Sequence, residues 1–450
     1  MCHHYVTRPN LPAIELDTYL LEAAQRIGLR ALVALARSAP LPLHSVVIYY
    51  HAARFSPRGG GVIQASLNPP CPQPVLQSAA AAIRPRLELI AAGQAELASA
   101  VLGCEMPVLH SPNAQMLVEG STVMVTGAGG SIGSELVRQM HRLGAAQVIC
   151  VDRDEYALYR LELGLTGQAM LTDDSMILAD VASRPQMEAV FAACQPQLVF
   201  HAAACKQLPL LERAPAQAIL TNVQGTMNVA TLCAQYGTRH FVNISTDKAA
   251  RPLSVLGMTK RLAEITSAHR DLGAVTVAAS VRFGNVFASR GSFIETVAHQ
   301  VAAGLPVTVT DTEMSRFFMT IPQAVSLVIE AAVMADNSSI FTLDMGESHN
   351  IVNIVRRYAL LAGIADLQIV STGRRPGEKL TEELTGPGET THPTAHPAIT
   401  AVPLDQSLRR HLPAIRRLVQ AARAGTPADR LCAALAELVG ATVVAEASAS

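Results

Sequence analysis

From Ser121 onward, the sequence alternates short apolar runs with longer segments that have the periodicity of an α-helix. Buried strands are predicted for the runs TVMVTG, QVICVD, SMILAD, LVFHAAA, HFVNIST and VTVAASVRFGN. Helices are predicted between them, over residues 131–143, 155–165, 186–194, 216–236 and 256–269. Strands that alternate with helices form a parallel sheet covered by helices on both faces. The expected fold class is therefore α/β, with a doubly wound parallel sheet.

A glycine-rich turn, VTGAGGSIGSEL, joins the first predicted strand to the first predicted helix. Glycines at this junction let the backbone turn tightly and approach a pyrophosphate, while the amides at the helix N-terminus face the phosphate charge. Asp152 ends the next strand, at about the 20-residue spacing expected of an acid that binds a ribose. This pattern predicts a Rossmann dinucleotide-binding domain. The turn residues expected to contact the cofactor are Gly127, Gly130, Ser131, Ile132 and Gly133.

The residues near Asp152 leave the choice between NAD and NADP open. Asp152 favours a 2′-hydroxyl on the ribose, whereas Arg153 either accepts a 2′-phosphate or is a solvated surface residue. After the third strand, Asp180 and Val181 are expected at the adenine edge of the cofactor, although Asp180 could instead cap a helix. Ala202 follows the fourth strand and is small enough to let a flat cofactor lie near the backbone.

Composition and charge exclude several classes of protein. The 35 Lys and Arg against 36 Asp and Glu give a net charge of -1, which provides no broad attraction for nucleic acid or an anionic membrane. The eight cysteines lack the paired spacing of a metal site. The N-terminus, MCHHYVTRPN, does not read as a signal peptide, and charges and prolines interrupt the apolar stretch 29–53. We therefore expect a cytoplasmic protein with no membrane span and no metal.

The chain divides into four predicted regions. Residues 1–118 carry no motif and form an unassigned N-terminal extension, and residues 119–290 form the Rossmann domain. After about residue 290 the alternation loosens, and residues 291–385 are predicted as a smaller substrate-binding lid over the strand ends. Residues 386–450 are predicted as a linker and C-terminal helices. The fold also leads us to expect a homo-oligomer.

A second group of polar residues follows the strand HFVNIST. Ser245, Thr246, Asp247 and Lys248 lie at the carboxyl edge of the predicted sheet, and the next helix brings Lys260 toward the same edge. A hydroxyl, a carboxylate and two amines would then converge beside the nicotinamide. In a partly desolvated site Lys248 would lose its proton more easily and Asp247 would hold one, which suits a base and an acid. The alternative is that the lysines are surface charges and Asp247 is a cap.

Several motifs occur in order along the chain: TGAGGSIGSEL, DRDEYALYRLE, VFHAAACKQLPLLE, NVQGTMNVA, STDKA, VRFGNV, RFFMTIPQAV and GRRPGEKLTEEL. With them, residues from about 120 to about 384 resemble the polysaccharide-biosynthesis branch of the extended short-chain dehydrogenase/reductases. That branch contains the UDP-N-acetylglucosamine 4,6-dehydratases. The resemblance implies a bound NAD or NADP that is reduced and reoxidised within each turnover. Hydride leaves sugar C4, water is lost across C5 and C6, and the hydride returns at C6.

The resemblance assigns a role to each polar residue of the catalytic segment. Asp247 would protonate the departing C6 hydroxyl, and Lys248 would be the base at C5. Thr246 would hydrogen-bond the C4 oxygen, and Lys260 would hold the nicotinamide ribose. The family carries tyrosine or methionine where this chain has Leu256, which cannot accept a proton. We therefore expect Thr246 to relay the C4 proton to Asp247 or to water.

The resemblance also places residues around the substrate. Lys206 keeps the family pattern in the loop ACKQLP, whereas Cys205 and Gln207 depart from an aromatic residue and a histidine, which bears on sugar preference. The expected contacts to the sugar, diphosphate and uridine are Asn285, Arg316, Arg374, Arg375 and Glu378. The implied function is a UDP-sugar 4,6-dehydratase in glycan synthesis. The alternatives are a UDP-sugar 4-epimerase and a non-catalytic NAD(P)-binding relative.

Overall fold

The computed structural model describes residues 46–49, 64–67, 94–103, 108, 110–268, 276–336, 339–364, 366–404 and 406–440. Most of the predicted N-terminal extension therefore lies outside the described residues. The chain divides into two compact units. The first comprises residues 1–104, 293–309 and 352–371, and the second comprises residues 105–292, 310–351 and 372–450.

The second unit contains a nine-stranded sheet. Its strands, with those of a small three-stranded sheet, are β1 (Thr122–Thr126), β2 (Gln147–Asp152), β3 (Met176–Leu178), β4 (Leu198–His201), β5 (His240–Ile244), β6 (Val277–Arg282), β7 (Asn285–Val286), β8 (Ser315–Met319), β9 (Ser339–Leu343), β10 (Ser348–Asn350), β11 (His392–Pro393) and β12 (Ile399–Pro403). The large sheet has the order β11-β12-β9-β6-β5-β4-β1-β2-β3, and the small one has β10-β8-β7. From β3 to β9 neighbouring strands are parallel. The α/β class and the doubly wound sheet are confirmed.

Helices cover both faces of the large sheet. The covering helices are α1 (Ser131–Arg142), α2 (Glu155–Thr166), α3 (Arg184–Cys194), α4 (Gly225–Gln235), α5 (Val255–Ser267) and α6 (Ile321–Val333). Two further helices, α7 (Leu412–Arg423) and α8 (Ala428–Val439), pack against α5. Shorter helices lie at Pro112–Val118, Leu208–Arg213 and Pro215–Ala218. Side chains alternate across each strand. Val123 and Val125 pack with Leu136 of α1, whereas Met124 packs with Phe191 of α3 on the opposite face.

The sheet continues past residue 290, where the sequence analysis ended the Rossmann domain. Strand β9 pairs parallel with β6, and β12 then pairs antiparallel with β9. The predicted linker after residue 386 thus supplies strands to the same sheet. Hydrophobic pattern identified β9 as a strand but carries no information on which strand it pairs with, so the boundaries at 290 and 385 differ from the observed units.

The helix predicted over residues 216–236 is not continuous. A π-helical turn, Ile219–Gln224, separates Pro215–Ala218 from α4. Such turns are rare and frequently accompany functional sites.

The first unit contains small elements. Strands Val46–Tyr49 and Gln64–Leu67 pair antiparallel, and strands Val307–Val309 and Ile369–Ser371 pair parallel. Its helices are Gln94–Leu102, Phe293–Ala302 and Ile351–Leu361. The predicted lid, 291–385, is thus shared between the two units. Among the described helices, none is long and apolar enough to cross a membrane.

Candidate active site

The glycine-rich turn between β1 and α1 has the geometry that a dinucleotide pyrophosphate requires. Gly127 has a φ of +68°, and a Cβ atom there would lie 2.6 Å from a backbone nitrogen of the loop after β4. A Cβ at Gly133 would overlap the carbonyl oxygen of Gly127, so both positions need glycine. Gly130 precedes α1, and no side chain caps the helix there. The first turn, with Ser131 and Ile132, therefore presents an uncapped N-terminus that favours an anion.

A cavity of about 240 Å³ lies at the carboxyl edge of the sheet, where the strand order reverses between β1 and β4. Doubly wound sheets bind ligands at this switch point. The predicted cofactor contacts that line the cavity are Gly127, Gly130, Asp152, Arg153, Asp180, Val181 and Ala202. Lining residues that the sequence analysis missed include Asp154, Ala157, Thr221 and Arg290. The residues Ser131, Ile132, Gly133 and Lys260 lie outside the lining.

The acidic and basic groups of the cavity are held in place. Asp152 accepts hydrogen bonds from two nearby backbone amides, at 2.9 and 3.0 Å. The guanidinium of Arg153 lies 3.9 Å from the carboxylate of Asp180 and donates to Oγ1 of Thr221 at 3.4 Å. Arg153 is therefore partnered inside the cavity. Asp180 does not cap a helix, because Ser183 is the residue that precedes α3.

A buried histidine links elements beneath the cavity. Oγ1 of Thr126 lies 2.7 Å from Nδ1 of His201, and Oγ1 of Thr226 lies 3.1 Å from Nε2. The Thr226 hydroxyl donates to the carbonyl oxygen of Asn222 at 2.7 Å, so Nε2 must donate to Thr226 and Nδ1 must accept from Thr126. Burial lowers the pKa of His201 to about 3. The ring is therefore neutral, and it has a structural part that the sequence analysis did not identify.

The segment after β5 brings a hydroxyl, a carboxylate and an ammonium to one point. Asp247 is buried, and its Oδ1 accepts hydrogen bonds from the Thr246 hydroxyl at 2.8 Å and from Nζ of Lys248 at 3.0 Å. Oδ2 of Asp247 has no hydrogen-bond partner in the described part of the chain. Thr246, not Asp247, caps the short 3-10 turn that follows. The predicted catalytic residues Thr246, Asp247 and Lys248 therefore touch one another.

Lys248 faces two acids. Its Nζ lies 3.0 Å from Oδ1 of Asp247 and 3.6 Å from Oε1 of Glu382. Burial by itself lowers the pKa of Lys248, but the two carboxylates outweigh burial and hold the pKa above its usual value. The expectation that burial would ease loss of the proton is therefore wrong for the protein without substrate, because the site buries opposite charges together with the amine.

Lys260 is buried on α5, one helical turn after Leu256. Burial lowers the pKa of Lys260 to about 8, against the opposing charge of Glu264. Leu256 belongs to an apolar cluster with Ile415 of α7 and Leu435 of α8. Leu256, where the resembled branch carries tyrosine or methionine, is thus a packing position here, and α7 and α8 complete its surroundings.

A buried ion-pair network lies next to Lys260, and the sequence analysis did not predict it. Arg282 is fully buried and contacts Glu264 at 2.7 Å and Glu389 at 2.6 Å. Ser245 donates to Glu264 at 2.6 Å. Burial would raise the pKa of Glu264, but Arg282 outweighs it and holds that pKa at about 2. The network ties β6, α5 and the segment after residue 385 to the end of β5.

Arg316, on β8, is buried, and its guanidinium already donates hydrogen bonds within the protein. Its guanidinium donates to the carbonyl oxygens of Ser315, Lys379 and Leu380 at 2.7, 2.8 and 2.9 Å. It also lies 3.9 Å from Oε1 of Glu378. Arg316 therefore holds the 378–380 segment against β8, whereas the sequence analysis expected it to clamp the diphosphate directly.

The other predicted substrate contacts are more exposed. The carboxylate of Glu378 accepts from the backbone amide of Arg375 at 3.2 Å, so it joins Arg375 to Arg316. Arg374 pairs with Asp311 at 3.4 Å. The remaining two are half-buried Asn285, at the start of β7, and exposed Lys206, in the loop after β4.

The loop that carries Cys205 and Gln207 is connected by hydrogen bonds to α5. Asn222, in the π-helical turn, binds the backbone nitrogen and oxygen of Cys205 at 2.8 and 3.0 Å and donates to Thr259 of α5 at 3.1 Å. Gln207 donates to the carbonyl oxygen of Gly291 at 3.2 Å. Within the described residues, no group of three or more His, Cys, Asp and Glu side chains is placed to hold a metal.

Residues 123–404 match the family described as polysaccharide biosynthesis protein. EpsC of Bacillus subtilis, named a probable polysaccharide biosynthesis protein, is 40% identical over 296 residues, which are 64% of this chain and 49% of EpsC. The capsular polysaccharide biosynthesis protein CapD of Staphylococcus aureus is 42% identical over 274 residues, which are 60% of this chain and 45% of CapD. The chain thus spans about half the length of these curated relatives.

A solved structure has the same fold. Pen from Bacillus thuringiensis superposes with a TM-score of 0.58 at 27% identity, over 64% of this chain and 88% of that one.

Proposed function

The chain belongs to the polysaccharide biosynthesis protein family, and on this premise we propose that it is a nucleotide-sugar 4,6-dehydratase. The proposed substrate is UDP-N-acetylglucosamine or a close relative, and the proposed cofactor is NAD or NADP. The observation that carries the proposal is the shared oxygen Oδ1 of Asp247, which accepts from both Thr246 and Lys248. An acid, a base and a hydroxyl relay are thereby within one hydrogen-bonded group.

The cofactor site is proposed from the cavity at the switch point. When bound, NAD(P) would accept hydride from sugar C4 and return it at C6. Glycine at 127 and 133 lets the turn close tightly, because a Cβ atom at either position would collide with neighbouring backbone, and the first turn of α1 would face the pyrophosphate charge. Asp152 would bind the adenosine ribose, and Lys260 would bind the nicotinamide ribose.

The hydrogen bond from Thr246 to Asp247 supports a proton route that does not need tyrosine. The C4 hydroxyl gives its proton to Oγ1 of Thr246, and the hydroxyl proton of Thr246 moves to Oδ1 of Asp247. Asp247 then protonates the C6 hydroxyl, which leaves as water. Lys248 takes the C5 proton and returns it to C5 when hydride arrives at C6. The proton lost at C4 therefore leaves with the water, and the residues end as they began.

The two alternative functions, a 4-epimerase and a non-catalytic relative, do not require all three of Thr246, Asp247 and Lys248. A 4-epimerase oxidises and reduces C4 and needs neither an acid at C6 nor a base at C5, so Asp247 would serve only the C4 proton and Lys248 would have no task. A non-catalytic relative would need no hydroxyl relay.

Mass spectrometry after incubation with UDP-N-acetylglucosamine and NAD or NADP tests the proposal. Dehydration lowers the mass of the sugar nucleotide by one water, whereas epimerisation leaves it unchanged. Asp247→Asn is the matched control, because its amide oxygen still accepts from Thr246 but cannot supply the proton. A sugar that is unchanged by protein with bound cofactor would contradict the proposed function.

A further inference from the structure

Glu382 is a buried acid to which the mechanism above gives no part. Its side chain is 3% exposed, and Oε1 lies 3.6 Å from Nζ of Lys248. Oε2 of Glu382 lies 3.4 Å from Nζ of Lys379. Among the described residues, neither Oε2 of Glu382 nor Nζ of Lys379 has a hydrogen-bond partner. A charged carboxylate with an unsatisfied buried oxygen is costly. Glu382 is therefore a buried carboxylate beside Lys248 with one oxygen that is not committed to a hydrogen bond.

Lys248 needs a proton acceptor within the site. A lysine that removes the C5 proton must first be an amine, yet Asp247 and Glu382 both stabilise the ammonium. The other cation that faces Lys248 is Arg316, and it opposes the two acids only weakly. Loss of the proton to bulk water at neutral pH is therefore unfavourable, and an internal acceptor removes the difficulty.

We propose that Glu382 is a positioning residue that acts through Lys248 by accepting the ammonium proton when substrate covers the site. The inference rests on the proposed function. The N–H bond of Lys248 breaks, an O–H bond forms on Glu382, and a neutral amine faces a neutral acid. Exclusion of water favours this exchange, because a low dielectric penalises the ion pair more than the neutral pair. The Nζ to Oε1 distance must shorten to about 2.8 Å for the transfer.

The rest of the cycle balances. The amine of Lys248 takes the C5 proton while the C6–O bond breaks and Asp247 protonates the leaving hydroxyl. The Lys248 ammonium then returns a proton to C5, and Glu382 returns its proton to the amine. Asp247 is excluded as the acceptor, because it must already hold the proton that leaves with water.

The test compares Glu382→Gln with wild type by the rate of deuterium incorporation at sugar C5, from about pH 6 to about pH 10. The proposal predicts a loss of about 100-fold at neutral pH, with the rate recovering as hydroxide deprotonates Lys248. Glu382→Asp keeps a carboxylate and should restore part of the rate. Glu383→Gln is the matched control, since Glu383 lies next in sequence and pairs with exposed Arg251 at 3.2 Å.

The direction in which Glu382→Gln changes the rate at neutral pH separates a proton acceptor from a residue that is only a counter-ion of Lys248. If Glu382 only holds Lys248 charged, Glu382→Gln lowers the pKa of Lys248 and raises the rate at neutral pH, and that result would overturn the proposal. An unchanged pH profile would overturn it as well.

A second measurement does not depend on turnover. The pH dependence of Lys248 acetylation by acetic anhydride, followed by mass spectrometry, reports the pKa of Lys248. The pH midpoint of Lys248 acetylation should be lower in Glu382→Gln than in wild type and should be unchanged in Glu383→Gln. An unchanged midpoint contradicts the proposal whatever the sugar does. Absence of C5 exchange in wild type, with a shifted midpoint, would instead count against the proposed dehydratase function.

Discussion

The hydroxyl of Thr246 donates a 2.8 Å hydrogen bond to Oδ1 of Asp247, its neighbour in sequence. Thr246 follows β5 with an extended backbone, with φ of -152°, and its side chain caps the short 3-10 turn that begins at Asp247. Because Leu256 cannot accept a proton, the proposed relay of the C4 proton runs through this bond to the buried acid.

Thr246→Val should lower dehydration by about 100-fold, because it removes the relay and leaves a side chain of similar shape. Thr246→Ser keeps the hydroxyl and should retain most of the rate. The measurement is the initial rate of 4-keto-6-deoxy sugar formation. Equal rates in the valine and serine variants would exclude Thr246 as the relay.

Cofactor binding should weaken as pH rises through about 8, because the pKa of buried Lys260 lies at about 8. Below that pH the ammonium can donate to the nicotinamide ribose, and above it the group is an amine. The dissociation constant at about pH 9 should exceed that at about pH 7 by about 10-fold. Lys260→Arg stays charged and should show no such dependence. A flat profile in the wild-type protein would rule out the ammonium as the binding form.

Arg290 should contribute to cofactor affinity. Its guanidinium lines the cavity 3.3 Å from Oδ2 of Asp154, and its backbone nitrogen donates to Oγ of Ser131 at 2.9 Å. Arg290→Ala should weaken binding by about 10-fold, the worth of one charge-assisted hydrogen bond. Asp154→Asn still caps α2 through the amide of Ala157 but loses the competing charge, so affinity should hold or increase. Titration calorimetry measures the cofactor affinity of both variants. Equal weakening in Arg290→Ala and Asp154→Asn would contradict a role for Arg290 in cofactor binding.

Arg282→Met should destabilise the fold by about 3 kcal/mol, because the two buried carboxylates of Glu264 and Glu389 must then share a single cation, Arg261, at 3.0 and 3.1 Å. The pKa of Glu264 lies at about 2, below its unfolded value. The stabilisation is therefore present above about pH 4 and is lost as pH falls toward 2. Arg251→Met breaks only the exposed pair with Glu383 and should cost less than about 1 kcal/mol. Denaturant unfolding measures the free energy of unfolding of both variants. Similar losses of stability in Arg282→Met and Arg251→Met would contradict a structural role for the ion-pair network at Arg282.

The sequence predicted those features that depend on local pattern. Strands and helices from β1 to β6 follow from hydrophobic periodicity, and the glycine turn follows from steric need. The contacts among Thr246, Asp247 and Lys248 could be expected because consecutive residues at a strand end cannot separate far.

Long-range pairings could not be predicted in the same way. Glu382 is 134 positions after Lys248 in the numbering, and nothing in its local sequence distinguishes it from exposed Glu383. Glu389 lies in a stretch that reads as a linker, yet it pairs with buried Arg282. Arg316 was expected to present a free guanidinium, but backbone carbonyls of a distant segment occupy it. The pKa of Lys248 is raised by its neighbour Asp247 and also by Glu382, which the sequence could not place beside it.

Incubation with UDP-N-acetylglucosamine in deuterated water, followed by NMR of the sugar, tests the central claim most directly. The account predicts a 4-keto-6-deoxy product that carries deuterium at C5, because the amine of Lys248 already carries deuterium from the solvent when it takes the C5 proton and can return a deuteron to C5. Unchanged sugar in the presence of bound cofactor, or a 4-epimer without deuterium at C5, would contradict it.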